Sequence, residues 1–211
     1  MPRYTMQDGE QLYVREIGQG QPVLVLSGLG MQSWQWLPFI ATHLKTFKFL
    51  IPDWRGFGGS GQCAIPAIDA ISSHWQDIEC LIKQLDLNDF ILMGYSMGAT
   101  TAMHGMQYGN LSSKLKAYLH IDQTPKISTD DTWAHGLLGA KHPEFKVQMQ
   151  QLAKFLHDHP NHRQLGDLSK AQTDQLVELW LAFLALQSDR PLTTTVLRFA
   201  LSQPRLQKRL L

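Results

Sequence analysis

Residues 89–98 read Asp89-Phe90-Ile91-Leu92-Met93-Gly94-Tyr95-Ser96-Met97-Gly98, and their reading decides the fold. The first seven form a short, nearly continuous apolar run, the pattern of a strand buried on both faces of a parallel sheet. Residues 99–105 read as a helix, and Gly94-Tyr95-Ser96-Met97-Gly98, a G-x-S-x-G sequence, stands at the junction. A sharp strand-to-helix turn holds such a serine in a strained backbone conformation with its hydroxyl exposed, and only small residues fit on either side. The helix N-terminus beneath it offers backbone N–H groups and positive dipole to developing negative charge. Ser96 is the candidate nucleophile. The competing reading, a tight turn that carries a serine by chance, fits less well because position, flanks and period all agree.

Working outward, residues 23–27, 47–52 and 117–121 are apolar runs of the same kind. Residues 11–17 alternate, with Leu12, Val14 and Glu16 on one face and Tyr13, Arg15 and Ile17 on the other; after the turn Asp8-Gly9 they predict a hairpin that opens the sheet. In residues 70–86, Ile71, Trp75, Ile78, Ile82 and Leu85 recur at three- and four-residue steps as one apolar stripe, with Gln76, Asp77, Glu79 and Lys83 facing away. Strand and helix alternate from residue 23 to about 122, which predicts an α/β architecture with right-handed crossovers. From about residue 129 only helical stretches follow, around 143–158, 169–187 and 191–210. Two parts are expected: a core over 1–125 and a helical block over 126–211.

The 211 residues, 44% hydrophobic and 18% charged, describe a globular chain with one sizeable core, which excludes disorder, a collagen-like repeat and a disulfide scaffold. Nineteen basic against eighteen acidic side chains leave a formal charge of +1, no field for steering toward nucleic acid or anionic membranes. The basic tail of Arg190, Arg198, Arg205, Lys208 and Arg209 reads as a solvated helix face rather than a nucleic-acid contact. The first ten residues lack the basic and apolar regions of a secretory signal, and no window approaches the roughly 20 apolar residues of a membrane span, so a cytoplasmic protein is expected. Cys63 and Cys80 are read as reduced thiols. Neither a cofactor nor a metal is expected: His157-Asp158-His159-Pro160-Asn161-His162 has spacing a metal could use, but reads as an exposed helix end and proline turn.

A second element supports Ser96. Ser27-Gly28-Leu29-Gly30 follows the strand 23–27, and a glycine-rich loop here brings a backbone N–H close to the Ser96 hydroxyl. With the N–H of Met97, that of Leu29 would complete an oxyanion hole; an ordinary strand-to-helix loop is the plainer alternative.

With these residues in view the sequence resembles the α/β-hydrolase superfamily. The resemblance rests on Ser27-Gly28-Leu29-Gly30, in place of the usual His-Gly loop, on Pro52-Asp53-Trp54-Arg55-Gly56-Phe57-Gly58-Gly59-Ser60, and on Gly94-Tyr95-Ser96-Met97-Gly98. They stand in the family's order and at its spacing, over about residues 10–125, and Ile121-Asp122-Gln123-Thr124-Pro125 is similar to the family's sixth strand running into its lid. The resemblance implies a mostly parallel sheet flanked by helices, a serine nucleophile, and a helical cap over the site. It implies an esterase, lactonase or related acyl-transfer enzyme acting on a small ester or lactone, with cofactor-free perhydrolases or haloperoxidases nearby. Gly28, Trp34 and Tyr95, with Trp36, Phe57 and Met97 close by in sequence, are the expected substrate pocket, although each also suits core packing.

One decoy needs weighing. Gly56-Phe57-Gly58-Gly59-Ser60-Gly61 satisfies G-x-G-x-x-G, with Asp77 and Glu79 near the distance of a ribose-binding acid. A dinucleotide fingerprint needs its last glycine to open a helix and its acid to end the next strand. Here Pro66 intervenes and both acids sit mid-helix, so Asp53 and Arg55 are expected to be structural polar groups beneath the site. Asp122 is a possible catalytic acid, with capping of the following loop the favoured role.

The resemblance breaks at the triad. In this fold the order is Ser, then Asp or Glu, then His, the last two on loops after further strands. No later strand with an acid is recognised here, and no histidine follows His162. The favoured expectation is an acyl hydrolase shortened before its acid and histidine, lacking the last two strands and weakly active or inactive alone. A non-catalytic ligand-binding or interaction protein on the same scaffold is the alternative, and His120 or His135 as an internal base a third. Shortening would leave strand 117–121 as an unpaired edge, which predicts dimerisation or aggregation through it.

Overall fold

The computed structural model describes residues 2–65, 69–136, 139–158 and 169–187. The described chain forms two compact units, Met1–Pro125 and a second beginning at Lys126.

In the first unit the antiparallel hairpin β1 (Arg3–Thr5) and β2 (Gln11–Gly18) opens the sheet, as the Asp8-Gly9 turn predicts. Then come β3 (Gln21–Leu26), the one-turn helix α1 (Leu37–Ile40), β4 (Phe47–Pro52), α2 (Ala70–Gln84), β5 (Phe90–Tyr95), α3 (Met97–Tyr108) and β6 (Leu115–Ile121). The sheet order is β1-β2-β4-β3-β5-β6; β2 runs antiparallel to β4, and β4, β3, β5 and β6 are mutually parallel. The alternating apolar runs explain why this sheet is covered on both faces. In β3, Leu24 and Leu26 pack with Leu50, Trp54, Ile78, Leu81, Phe90, Leu92 and Ala102 on one side. Val23 and Val25 pack with Trp36, Ile40, Phe49 and Ile51 on the other. Asp69 caps α2 by accepting from the Ser72 N–H at 2.9 Å.

Two expectations need correction. Asp77 does not face away from the apolar stripe of α2: it is 4% exposed and forms an ion pair with Arg55, which draws it inward. The strand over 117–121 is not buried on both faces. Among the described residues β6 pairs only with β5, and Leu119 is 45% exposed.

In the second unit the described residues after 126 form α4 (His142–Asp158) and α5 (Lys170–Gln187), packed through Phe155 and Leu176. A cleft of about 560 Å³ lies between them, lined by polar Gln148, Gln151, Lys154 and Glu178 together with apolar Phe155 and Leu179. The third helical stretch, around 191–210, the basic tail and Pro66 lie outside the described residues, as does most of the 157–162 histidine segment.

Candidate active site

Ser96 stands between β5 and α3 with φ 51° and ψ −119°, a backbone conformation that costs a residue with a Cβ and persists only where the surroundings over-determine it. They do so here. The Ser96 N–H donates to Ile121 O of β6 at 3.0 Å, and Ser96 O accepts from the N–H groups of Ala99 and Thr100 at 2.9 and 3.1 Å. A Cβ on Gly94 would sit 2.7 Å from Ala99 Cα, and one on Gly98 would collide with the Leu26 carbonyl oxygen. The flanking glycines are therefore required by the close passage of α3 over β5 and β3. Ser96 is half-buried, and its hydroxyl has no hydrogen-bond partner among the described residues.

The loop after β3 approaches from the other side. A Cβ on Gly28 would meet the Tyr95 ring at 3.0 Å and Ser96 Cβ at 3.4 Å, so the Gly28 backbone lies against Ser96. The Met31 N–H closes the loop on Gly28 O at 3.2 Å. Among the described residues neither the Leu29 nor the Met97 N–H is committed to a backbone acceptor. Met97 opens α3, where the first amides have no intrahelical partner. The Leu29 side chain is 73% exposed. Trp34 is half-exposed and donates its indole N–H to Gln32 Oε1 at 3.0 Å, whereas Trp36 is buried with its ring edge-on to Tyr95 at 6.2 Å.

Four histidines belong to this unit, and none is hydrogen-bonded to Ser96. His43 and His104 pack against Phe47 and Tyr108. His74 stacks on Trp54 at 4.3 Å, and burial lowers its pKa. His120 pairs in register with Gly94, yet both its ring nitrogens are occupied. Nε2 lies 2.7 Å from Gln123 O, an acceptor only, so Nε2 carries the proton and Nδ1 accepts from the Tyr118 hydroxyl at 2.9 Å. Burial pushes the Tyr118 phenol up to about 12, which keeps it a donor. His120 is thus committed elsewhere in the structure. His135, in the second unit, packs against Trp133. Asp122 turns the chain at the end of β6 with φ 52° and makes no capping hydrogen bond among the described residues, contrary to the capping expectation.

Beneath the site the glycine-rich turn after β4 is structural. Asp53 accepts from the N–H of Ser33 at 2.5 Å and of Gly59 at 2.8 Å, and so ties this turn to the loop after β3. Arg55, 5% exposed, bonds both carboxylate oxygens of Asp77 at 2.7 Å, both of Asp8, and Ala64 O. The acid that a nucleotide fingerprint would offer to a ribose is therefore spent on an internal guanidinium. Among the described residues no three His, Cys, Asp or Glu side chains gather as a metal would require, and no helix is long and apolar enough to cross a membrane.

A family model for the alpha/beta hydrolase fold matches residues 21–158. A pimeloyl-[acyl-carrier protein] methyl ester esterase of Shewanella woodyi is 28% identical over 143 residues, 66% of this chain and 51% of its own. A non-heme chloroperoxidase of Kitasatospora aureofaciens is 29% identical over 101 residues, 46% of this chain and 35% of its own. The solved esterase of Exiguobacterium antarcticum superposes with a TM-score of 0.59 at 22% identity, covering 93% of this chain and 73% of that one. The chain spans from about a third to half the length of the curated relatives it matches.

Proposed function

The chain belongs to the alpha/beta hydrolase fold family, and from that premise we propose that it is a cytoplasmic acyl hydrolase of the esterase or lactonase kind with the Ser96 hydroxyl as its nucleophile. One observation carries the reading: Ser96 is held at φ 51° between two glycines that admit no side chain, with the Gly28 backbone against it and the Leu29 and Met97 N–H groups uncommitted to backbone acceptors among the described residues. In this reading Ser96 Oγ attacks the ester carbonyl, the two N–H groups take the developing oxyanion, the alcohol leaves, and water later cleaves the acyl-serine. Gly28, Tyr95 and Trp34 border the acyl group, and the apolar Leu29 and Tyr95 side chains favour a small apolar acyl chain over a charged one.

None of the four histidines of the first unit is hydrogen-bonded to Ser96, so in this reading the acid and the imidazole base are groups outside the described residues. In this reading hydrolysis of the acyl-serine, which needs a base to activate water, is the slow step. With a short p-nitrophenyl ester, one p-nitrophenolate is released per chain and an acyl group remains on the Ser96 peptide, followed by slow turnover. Ser96→Ala abolishes the burst and the adduct. A variant that acylates as the parent does overturns the assignment and leaves a non-catalytic scaffold as the reading.

The similarity to a chloroperoxidase supports a second use of the same serine. Hydrogen peroxide in place of water attacks the acyl carbon, the serine ester bond breaks, and a peracid leaves. Acetate-dependent oxidation of bromide by peroxide, lost in Ser96→Ala, distinguishes it.

The exposed β6 edge is the partner surface of this reading, with a second copy of the chain as its occupant, because unpaired backbone groups beside an exposed Leu119 are a template for strand pairing. Size-exclusion chromatography then shows a dimer or larger species that Leu119→Lys returns to monomer. A stable parental monomer contradicts it.

A further inference from the structure

Two buried indoles converge on one residue. Trp36 Nε1 donates to Ser27 Oγ at 3.0 Å, and Trp54 Nε1 donates to Ser27 O at 2.9 Å, with all three residues buried. A buried indole N–H needs an acceptor, but packing does not require that both find the same residue. Ser27 is the last fixed point before Gly28-Leu29-Gly30, and it is tied from two directions. Downstream the same loop is anchored again, through the Ser33 N–H on Asp53. Trp36 also lies edge-on to Tyr95, the residue before the nucleophile, so one side chain touches both the loop and the serine turn.

We propose that Trp36 and Trp54 are positioning residues for the oxyanion hole: their indole N–H groups fix Ser27, and through it aim the Leu29 N–H at the oxyanion formed on Ser96. The proposal rests on Ser96 as nucleophile. Its physical content is preorganisation. A donor helps only when it waits within about 2.7–3.1 Å of the place where charge develops, and a shift of about 1 Å at such a site forfeits about a hundredfold in rate. A phenylalanine keeps an aromatic ring at each place, smaller than the indole, and leaves Ser27 with one tie fewer; Ser27→Ala breaks the Trp36 tie without that loss of ring volume.

The test compares Trp36→Phe, Trp54→Phe and Ser27→Ala in the full chain. Amide exchange by NMR is read at Met31, whose N–H closes the loop, and at Leu24 and Leu92 in the central sheet as references. Losing one buried hydrogen bond is expected to speed exchange at Met31 about tenfold, with Leu24 and Leu92 unchanged. Ser27→Ala removes only the Trp36 acceptor, so it carries the test if a tryptophan variant fails to fold. In the same variants the rate constant for Ser96 acylation falls about tenfold at an unchanged dissociation constant for the ester, both read from single-turnover kinetics. Equal acceleration at all three amides, no acceleration at Met31, or an unchanged acylation rate overturns the proposal. Should Ser96→Ala acylate like the parent, the nucleophile reading fails, while the exchange data still decide whether the indoles hold the loop.

Discussion

Two glycine-rich turns end parallel strands in this molecule, residues 56–61 beyond β4 and residues 94–98 at the end of β5, and composition hardly separates them. Their polar groups do. Around the first, Asp53 accepts from two backbone amides, Arg55 is saturated by Asp77, Asp8 and a carbonyl, and Ser60 Oγ accepts from the Tyr13 N–H at 2.9 Å. Around the second, a hydroxyl on a strained backbone and the Leu29 and Met97 amides are without partners among the described residues. Buried polar groups that are paired make scaffold. Groups held open at a cost in strain are available to a substrate, and that difference marks the candidate site.

The largest effect that sharpens this contrast lies in the satisfied turn. Asp77→Ala leaves the buried Arg55 half-paired and is expected to cost about 4 kcal/mol in urea unfolding; a loss below 1 kcal/mol would place the ion pair among decorative surface contacts. Next comes the open turn. Gly98→Ala drives a methyl into the Leu26 carbonyl and is expected to cost about 3 kcal/mol. A smaller effect tests the exception in the satisfied region, His74, whose Nδ1 is buried without a partner among the described residues, its ring against Trp54, where Asp77 favours and Arg55 opposes its protonation. Burial depresses its folded pKa below the unfolded value of about 6.5, so the unfolded chain binds the proton first. Stability is then full above pH 6.5 and falls as the pH drops through the unfolded pKa toward the folded one. His74→Phe should flatten that part of the pH profile of the melting temperature, leaving the loss at lower pH that follows from the depressed Asp8 and Glu16 carboxyls. The smallest effect has the opposite sign: Ser96→Gly relieves the left-handed backbone and should stabilise by about 1 kcal/mol.

The parallel strands, α2, α3 and the serine turn were legible because their signals are local. Apolar runs, a 3.6-residue stripe and small residues around a serine each follow from covalent geometry and burial. What stayed hidden depends on distance in sequence. Asp77 looks solvated from its place on the α2 wheel and is buried because Arg55, 22 residues earlier, sits opposite it. Trp36 reads as a neighbour of the substrate pocket and Trp54 only as part of the turn after β4, and nothing local tells that both indole N–H groups end on Ser27. His120 could be named from sequence only as an internal histidine, and the tautomer that removes it from the role of base is set by Gln123 and Tyr118, which only the structure shows.

The central claim, that the fold makes Ser96 reactive, is tested most directly by covalent capture with a fluorophosphonate, in which Ser96 Oγ bonds to phosphorus and fluoride leaves. Peptide mass mapping should find the adduct on the Ser96 peptide of the native chain, formed at least about tenfold faster than in the urea-unfolded chain and absent in Ser96→Ala, since oriented donors act only in the folded state. Labelling at Ser96 that is no faster in the native than in the unfolded chain, or that falls on other serines, would contradict the account.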